Sequence, residues 1–227
     1  PQIDFRIVDS ITDPPGSEQF AVETLLRVPG CFVCFRPSAT EMPRSSRSGP
    51  ITFGSFNSVA KITPTTIDLW SATMLAVQGS RLLLKARGLG DPFVAEPVRQ
   101  AFSARGVAPD RLDLRGRVED ARGHLGLYDL IDVALDTFPY HGTTTTCEAL
   151  AMGVPVVSLA GDSHRSRVAA SLLSAVGLRA TATADAFVRD AVAKSSLRRD
   201  GFKTEDDSWR PLPFARFFRD TLSAAGG

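Results

Sequence analysis

Three cysteines, three histidines, two tryptophans and two tyrosines are all that 227 residues offer of those types. Three cysteines cannot all pair with one another, and a chain of this length buries a core without cross-links, so no disulfide framework is expected. Charge of one sign is missing too. Twenty-six Lys plus Arg against 25 Asp plus Glu leave a formal +1, too even a balance for the basic surface field on which nucleic-acid binding relies. Nucleic acid is not expected as the main partner. No apolar run approaches the roughly 20 residues that span a bilayer, and the start, PQIDFRIVDS, has no basic segment leading into a hydrophobic one. The expectation is one cytoplasmic domain, two at most, without a membrane partner. The chain also lacks a GxxxxGK(S/T) triphosphate loop, does not complete GxGxxG at Gly88 to Phe93, and shows no 34-residue repeat.

Cys31 and Cys34 do form a CxxC. A single such pair lacks the second ligand pair of a zinc site, and CFVCF is apolar enough to be a strand whose cysteines pack as small hydrophobes. No metal site is expected. Around it, residues 1 to 50 read as DPPG near the start, a helix over Gln19 to Leu26, a short strand over Cys31 to Phe35, and the exposed linker PSATEMPRSSRSGP, whose prolines disfavour helix and ladder alike.

From Ile51 onward, apolar runs of strand length alternate with amphipathic stretches of helix length. ITFGSF, RLLLKA, RLDLRG, DVALD and VPVVSLA are the strand candidates. Between them, Pro64 to Val77 carries Ile67, Trp70, Met74 and Val77 at helical spacing, and Phe93 to Ala104 reads as a second helix. Thr63 before Pro64 is a plausible N-cap, and Gly153 followed by Pro155 is a helix stop. Strand then helix, repeated, predicts an α/β fold over residues 51 to 193: a Rossmann-like parallel sheet with helices on both faces. Residues 194 to 227 form an atypical tail. Ligands of such sheets bind beyond the carboxyl ends of the strands, so the chemistry is sought there.

After ITFGSF come Asn57, Ser58 and Lys61. An amide and an ammonium can hold a phosphate there, and can equally be an asparagine turn with a surface lysine. After DVALD comes TFPYHGTTTTCEALAMGVP, where Thr143, Thr144, Thr145 and Thr146 are poor interior helix formers that suit a helix start. Such a start is an anion site, with Gly142 letting the backbone approach a ligand and the helix dipole favouring a diphosphate. Glu148, one turn on, either accepts from ribose hydroxyls or complements the dipole as a first-turn acid. His124 and His141 are candidate contacts to phosphate or base, or else satisfied turn residues. His164 stands with Arg165 and Arg167 after VPVVSLA.

Taken in order, ITFGSFNSVAKITPTTIDLW, SRLLLKA, RLDLRGRVEDARGHLGLYDLIDVALDTFPYHGTTTTCEALAMGVPVVSLAG, SRVAASLL and VGL resemble the C-terminal catalytic lobe of the O-GlcNAc transferases, glycosyltransferase family 41, in its bacterial branch. The resemblance is dense over residues 51 to 178 and loose before them. It implies the donor-binding lobe of a GT-B enzyme that moves N-acetylglucosamine with inversion from UDP-GlcNAc to Ser or Thr hydroxyls of proteins. Carried over by position, it implies Lys61 on the diphosphate as the catalytic residue, His124 near uracil and diphosphate, Thr143 to Thr145 around the phosphates, Glu148 on the ribose, and Asn57, Ser58, His141 and Gly142 in the same pocket. Animal members have Gln where this chain has Ser58 and Asp where it has Glu148. UDP-GlcNAc is then a substrate, with no cofactor and no metal. In the family an acceptor-side lobe and TPR repeats that recruit the protein acceptor come first, so residues 1 to 50 read as a partial link to a lobe missing from this chain. The other readings are a GT-B UDP-sugar transferase or epimerase acting on a small molecule, and an inactive nucleotide-sugar-binding module.

Overall fold

The computed structural model describes residues 3–35 and 49–199. Most of the Ser/Pro/Arg-rich linker and the tail from residue 200 lie outside the described residues. Five strands, β3 (Thr52–Ser55), β4 (Arg81–Lys85), β5 (Leu112–Arg115), β6 (Val133–Leu135) and β7 (Val156–Val157), form one sheet in the order β5-β4-β3-β6-β7. Every pairing in it is parallel. Its strands come from the five apolar runs, each trimmed to the residues that find a ladder partner.

Two hydrophobic layers explain why these runs hold together. β4 sends Leu82 and Leu84 to one face and Leu83 to the other, the period-two alternation of a strand. On the first face lie α1 (Pro64–Ala76), α2 (Pro92–Ser103) and α6 (Ala184–Arg199), through Ile67, Trp70, Met74, Phe102, Phe187 and Ala191. On the second lie α3 (Ala121–Gly126), α4 (Thr144–Ala151) and α5 (Val168–Ala175), through Leu125, Ala149, Leu150 and Leu173. The expected parallel sheet with helices on both faces is therefore present. α6 runs across position 194, where the change in composition lies. Among the described residues no helix is long and apolar enough to cross a membrane.

The helix starts follow the local chemistry. The Thr63 hydroxyl accepts from the N–H of Thr66, with Pro64 at the first helical position. Asp91 and Asp120 cap α2 and α3 in the same way. In β3, Gly54 is required by its neighbour: a Cβ there would sit 2.4 Å from Cγ2 of the buried Ile131.

Two expectations before residue 50 are corrected. The stretch Gln19 to Leu26 is not a helix; a 3-10 turn over Ser17–Phe20 leads into β2 (Thr24–Arg27), which pairs in parallel with β1 (Phe5–Val8). Pairing with β1 satisfies more backbone than a short isolated helix can. Cys31 to Phe35 forms no strand, because the Phe32 N–H goes to the Asp9 carboxylate rather than to a ladder (3.0 Å). Asp9 is fully buried and ties the N-terminal segment to the sheet domain, the same oxygen accepting from the Ser171 hydroxyl at 2.6 Å. Cys31 packs with Cys147, Val168 and Leu172, as a small hydrophobe would, while Cys34 is exposed.

Candidate functional site

The chain leaves β3 for β4 and β5 on one side, then returns to add β6 and β7 on the other. The order reverses between β3 and β6, and a parallel sheet binds its ligand beyond the carboxyl ends of the strands at that point. The loops leaving β3 and β6 therefore frame the site.

Asn57 ends the β3 run and Asp136 the β6 run. Asp136, 3% exposed, accepts from the N–H groups of Thr137 (2.9 Å) and Gly142 (2.8 Å) with one oxygen and from the Ser158 hydroxyl (2.8 Å) with the other. These bonds bend the loop after β6 back over the sheet edge and aim α4 at the switch point. The buried Asn57 amide crosses the same gap: its oxygen accepts from the Thr145 hydroxyl at 3.1 Å. Gly142 fits because a Cβ would lie 2.4 Å from the Thr145 hydroxyl and 2.9 Å from the Asn57 oxygen. Beneath them is a narrow crevice of about 20 Å³ lined by Asn57, Tyr128, Asp136, Thr145 and Thr146.

The Lys61 ammonium donates to the His141 carbonyl at 2.7 Å and stands 4.0 Å over the Tyr140 ring. Partial burial pushes its pKa below the ordinary lysine range, and the Asp136 carboxylate partly opposes this. Thr143 stands at the N-cap of α4, yet its side chain makes no cap bond there, in contrast to Thr63, Asp91 and Asp120. Thr144 is exposed beside it. The start of α4 thus presents free amide and hydroxyl donors, with a half-buried ammonium nearby.

On the other side of α4 a second chain of polar contacts runs from β4. Lys85 Nζ is 2.9 Å from His124 Nδ1, and His124 Nε2 is 2.9 Å from Glu148 Oε2. The Tyr128 hydroxyl donates to that same carboxylate oxygen at 3.1 Å. Phe56 packs on Tyr128 with ring centroids 4.6 Å apart, so apolar contact backs the polar row. Burial and the neighbouring Glu148 charge both push the Tyr128 phenol well above its ordinary range, so it acts as a donor.

Asn57, Lys61, Gly142, Thr143, Thr144, Thr145, His124 and Glu148 are thus brought to one sheet edge. Two expected residues stand apart. The ring of His141 is fully buried: Nε2 donates to the Leu159 carbonyl (2.8 Å) and Nδ1 accepts from the Ala169 N–H (3.1 Å). That ring is spent on the fold, and only the His141 carbonyl serves the site, by holding Lys61. Ser58 is exposed and its hydroxyl caps nothing. Asp136, Lys85 and Tyr128 join the site without having been candidates from the sequence. The first two could have been found as the charged residues closing DVALD and lying next to last in RLLLKA. Among the described residues no group of three or more His, Cys, Asp or Glu is placed to hold a metal ion.

A larger cleft of about 790 Å³ adjoins the site across Phe138 and Pro139 and is walled by Asp13, Phe20, His164 and Arg165. His164 donates from Nδ1 to the Asp13 carboxylate, fastening this wall to the N-terminal segment.

Comparison with known proteins gives the site its relatives. The model of glycosyl transferase family 41 matches residues 40–195. The chain is 44% identical over 186 residues to the probable UDP-N-acetylglucosamine–peptide N-acetylglucosaminyltransferase SPINDLY of Arabidopsis thaliana, across 78% of this chain and 20% of that protein. For the SPINDLY of Petunia hybrida the identity is 46% over 187 residues, across 79% and 20%. A solved O-GlcNAc transferase mutant of Thermobaculum terrenum superposes with a TM-score of 0.84 at 32% identity, over 98% of this chain and 44% of that one. The fold is that of the Rossmann-like lobe of a GT-B glycosyltransferase, as the resemblance implied. The chain spans about a fifth of the length of the curated relatives it matches. With more than half of its residues inside the family model, the chain belongs to glycosyl transferase family 41.

Proposed function

We propose that this chain is the donor-binding lobe of an inverting glycosyltransferase that transfers N-acetylglucosamine from UDP-GlcNAc to Ser or Thr hydroxyls of proteins. One observation carries the reading: Lys61, Asn57 and the uncapped start of α4 converge at the β3/β6 switch point. As the acceptor oxygen attacks the anomeric carbon, the bond to the diphosphate breaks and charge grows on the leaving phosphate. The Lys61 ammonium, the hydroxyls of Thr143 and Thr144 and the free amides at the start of α4 are held in advance where that charge forms, while the Thr145 hydroxyl is held by Asn57. Glu148, held by His124 and Tyr128, offers a carboxylate oxygen to the ribose hydroxyls.

Lys61 and the helix start supply the positive charge that a divalent cation provides elsewhere, so no metal is needed in this proposal. A chelator should leave donor affinity unchanged.

The acceptor protein, an acceptor-side lobe and a TPR region belong to the same proposal. The N-terminal segment supports the second lobe. β1 and β2 make a two-stranded parallel sheet whose Phe5 and Ile7 are 59% and 60% exposed on one face, with Ile3 ahead of the strand 61% exposed, whereas parallel sheets are ordinarily covered on both. That face suits a lobe that continues this sheet, and the relatives are long enough to supply one. We place the reaction in the cytoplasm, in keeping with three free thiols.

The test is calorimetric titration with UDP, UDP-GlcNAc and ADP- and GDP-sugars at low salt. Preference for UDP-GlcNAc supports the proposal, whereas binding of another nucleotide-sugar in preference, or of none, refutes it. Lys61→Ala should weaken UDP-GlcNAc about 10- to 100-fold, the equivalent of losing one charge-assisted hydrogen bond of ~1.5–3 kcal/mol.

A further inference from the structure

We propose that Lys85 is a positioning residue for the ribose of the donor, acting through His124 on Glu148; the inference rests on the donor-site reading above. Lys85 is the last residue of β4, at the carboxyl edge of the strand beside β3. Its ammonium carries only donors, so the Nδ1 of His124, 2.9 Å away, must accept. The single ring proton of the neutral imidazole is thereby placed on Nε2, which donates to Oε2 of Glu148. The Tyr128 hydroxyl, 3.1 Å from both that oxygen and the Thr145 carbonyl, shares its one proton between them and gives Oε2 its second bond.

The consequence falls on the other oxygen of Glu148. Oε2 is occupied twice, and Oε1 makes no hydrogen bond among the described residues. Turning the carboxylate away would cost both bonds to Oε2, so Oε1 is held as the acceptor for a ribose hydroxyl. If the ring proton moved to Nδ1, the Nε2 lone pair would face Oε2 and the carboxylate would turn away. Lys85 prevents that exchange. The other charged or titratable groups around the row are Arg117, which acts on Lys85, and Cys147, buried behind Tyr128. Neither reaches the ring nitrogens. The aromatic ring of Phe56 lies 5.8 Å from the ammonium and leaves His124 as its hydrogen-bond partner.

The experiment pairs two readouts on the full chain. Long-range nitrogen–proton spectra of ¹⁵N-histidine-labelled protein, with only three histidines to assign, report the tautomer of His124 without ligand. Calorimetry with UDP and with 2′-deoxy-UDP reports how strongly the ribose hydroxyl is sensed. Wild type and Lys85→Arg, which keeps a donor at Nδ1, should show the Nε2–H tautomer and prefer UDP by about tenfold, the worth of one hydrogen bond to a charged group. Lys85→Met, which keeps the apolar stem, should show a mixture of tautomers and lose most of that preference, with amide dispersion confirming an intact fold. The proposal is overturned if Lys85→Met keeps both the tautomer and the preference. It is also overturned if UDP and deoxy-UDP weaken equally with the tautomer unchanged, which would make Lys85 a direct phosphate ligand. Binding of neither nucleotide by wild type would refute the donor site and the ribose role with it, and the spectra would still decide whether Lys85 sets the His124 tautomer.

Discussion

At the scale of single residues, Lys61 links fold and chemistry, because the bond that fixes its ammonium, to the His141 carbonyl, also fixes the loop that carries the threonine run. Its lowered pKa has opposite effects on binding and on stability. The folded state holds the proton less tightly than the unfolded chain does, so between the lowered value and the ordinary lysine range the unfolded state binds more protons and stability rises with pH. Donor affinity needs the ammonium and should fall across the same window. Calorimetry at a series of alkaline pH values should show a larger loss in wild type than in Lys61→Ala. The thiols give a second check. Burial pushes Cys147 up to about 12 and raises Cys31 as well, whereas Cys34 is exposed. A thiol reagent at neutral pH should therefore label one cysteine in the native protein and all three in denaturant; rapid labelling of Cys147 would contradict the packing. Asn57, Lys61 and the threonine run could be read from the sequence because each comes directly after a strand-length run. The positions of Asp136 and Lys85 at strand ends were visible too, but not their roles, which lie in partners far along the chain: Asn57 and Ser158 for one, His124 for the other.

Among the elements, β3 has the least room for change. Gly54 faces the fully buried Ile131, and a methyl group there would force that side chain off its position. Gly54→Ala should destabilise the domain by about 1–3 kcal/mol through overpacking, measured as a lower denaturation midpoint in urea at unchanged slope. An unchanged midpoint would show that Ile131 yields without cost. The helix starts were legible because capping is local: Thr63, Pro64 and the N–H of Thr66 are neighbours in the chain. β2 was not legible, because the residues that make Thr24–Arg27 a strand are those of β1, some twenty positions earlier. The irregular path of Cys31 to Phe35 was hidden for the same reason, its determinant being the distant Asp9 carboxylate.

For the molecule as a whole, the reversal of strand order between β3 and β6 gathers residues 57, 61, 136 and 142 to 148 onto one edge. Strand alternation predicted a parallel sheet, but the sequence pattern alone does not say which strand is central; pairing does. The most direct measurement is NMR mapping of UDP-GlcNAc on the labelled chain. The account predicts that the amide signals of Gly142 to Thr145 and the ring signals of His124 move together with one dissociation constant. Their constancy at saturating donor, or shifts confined to residues 162 to 167 in the larger cleft, would contradict it.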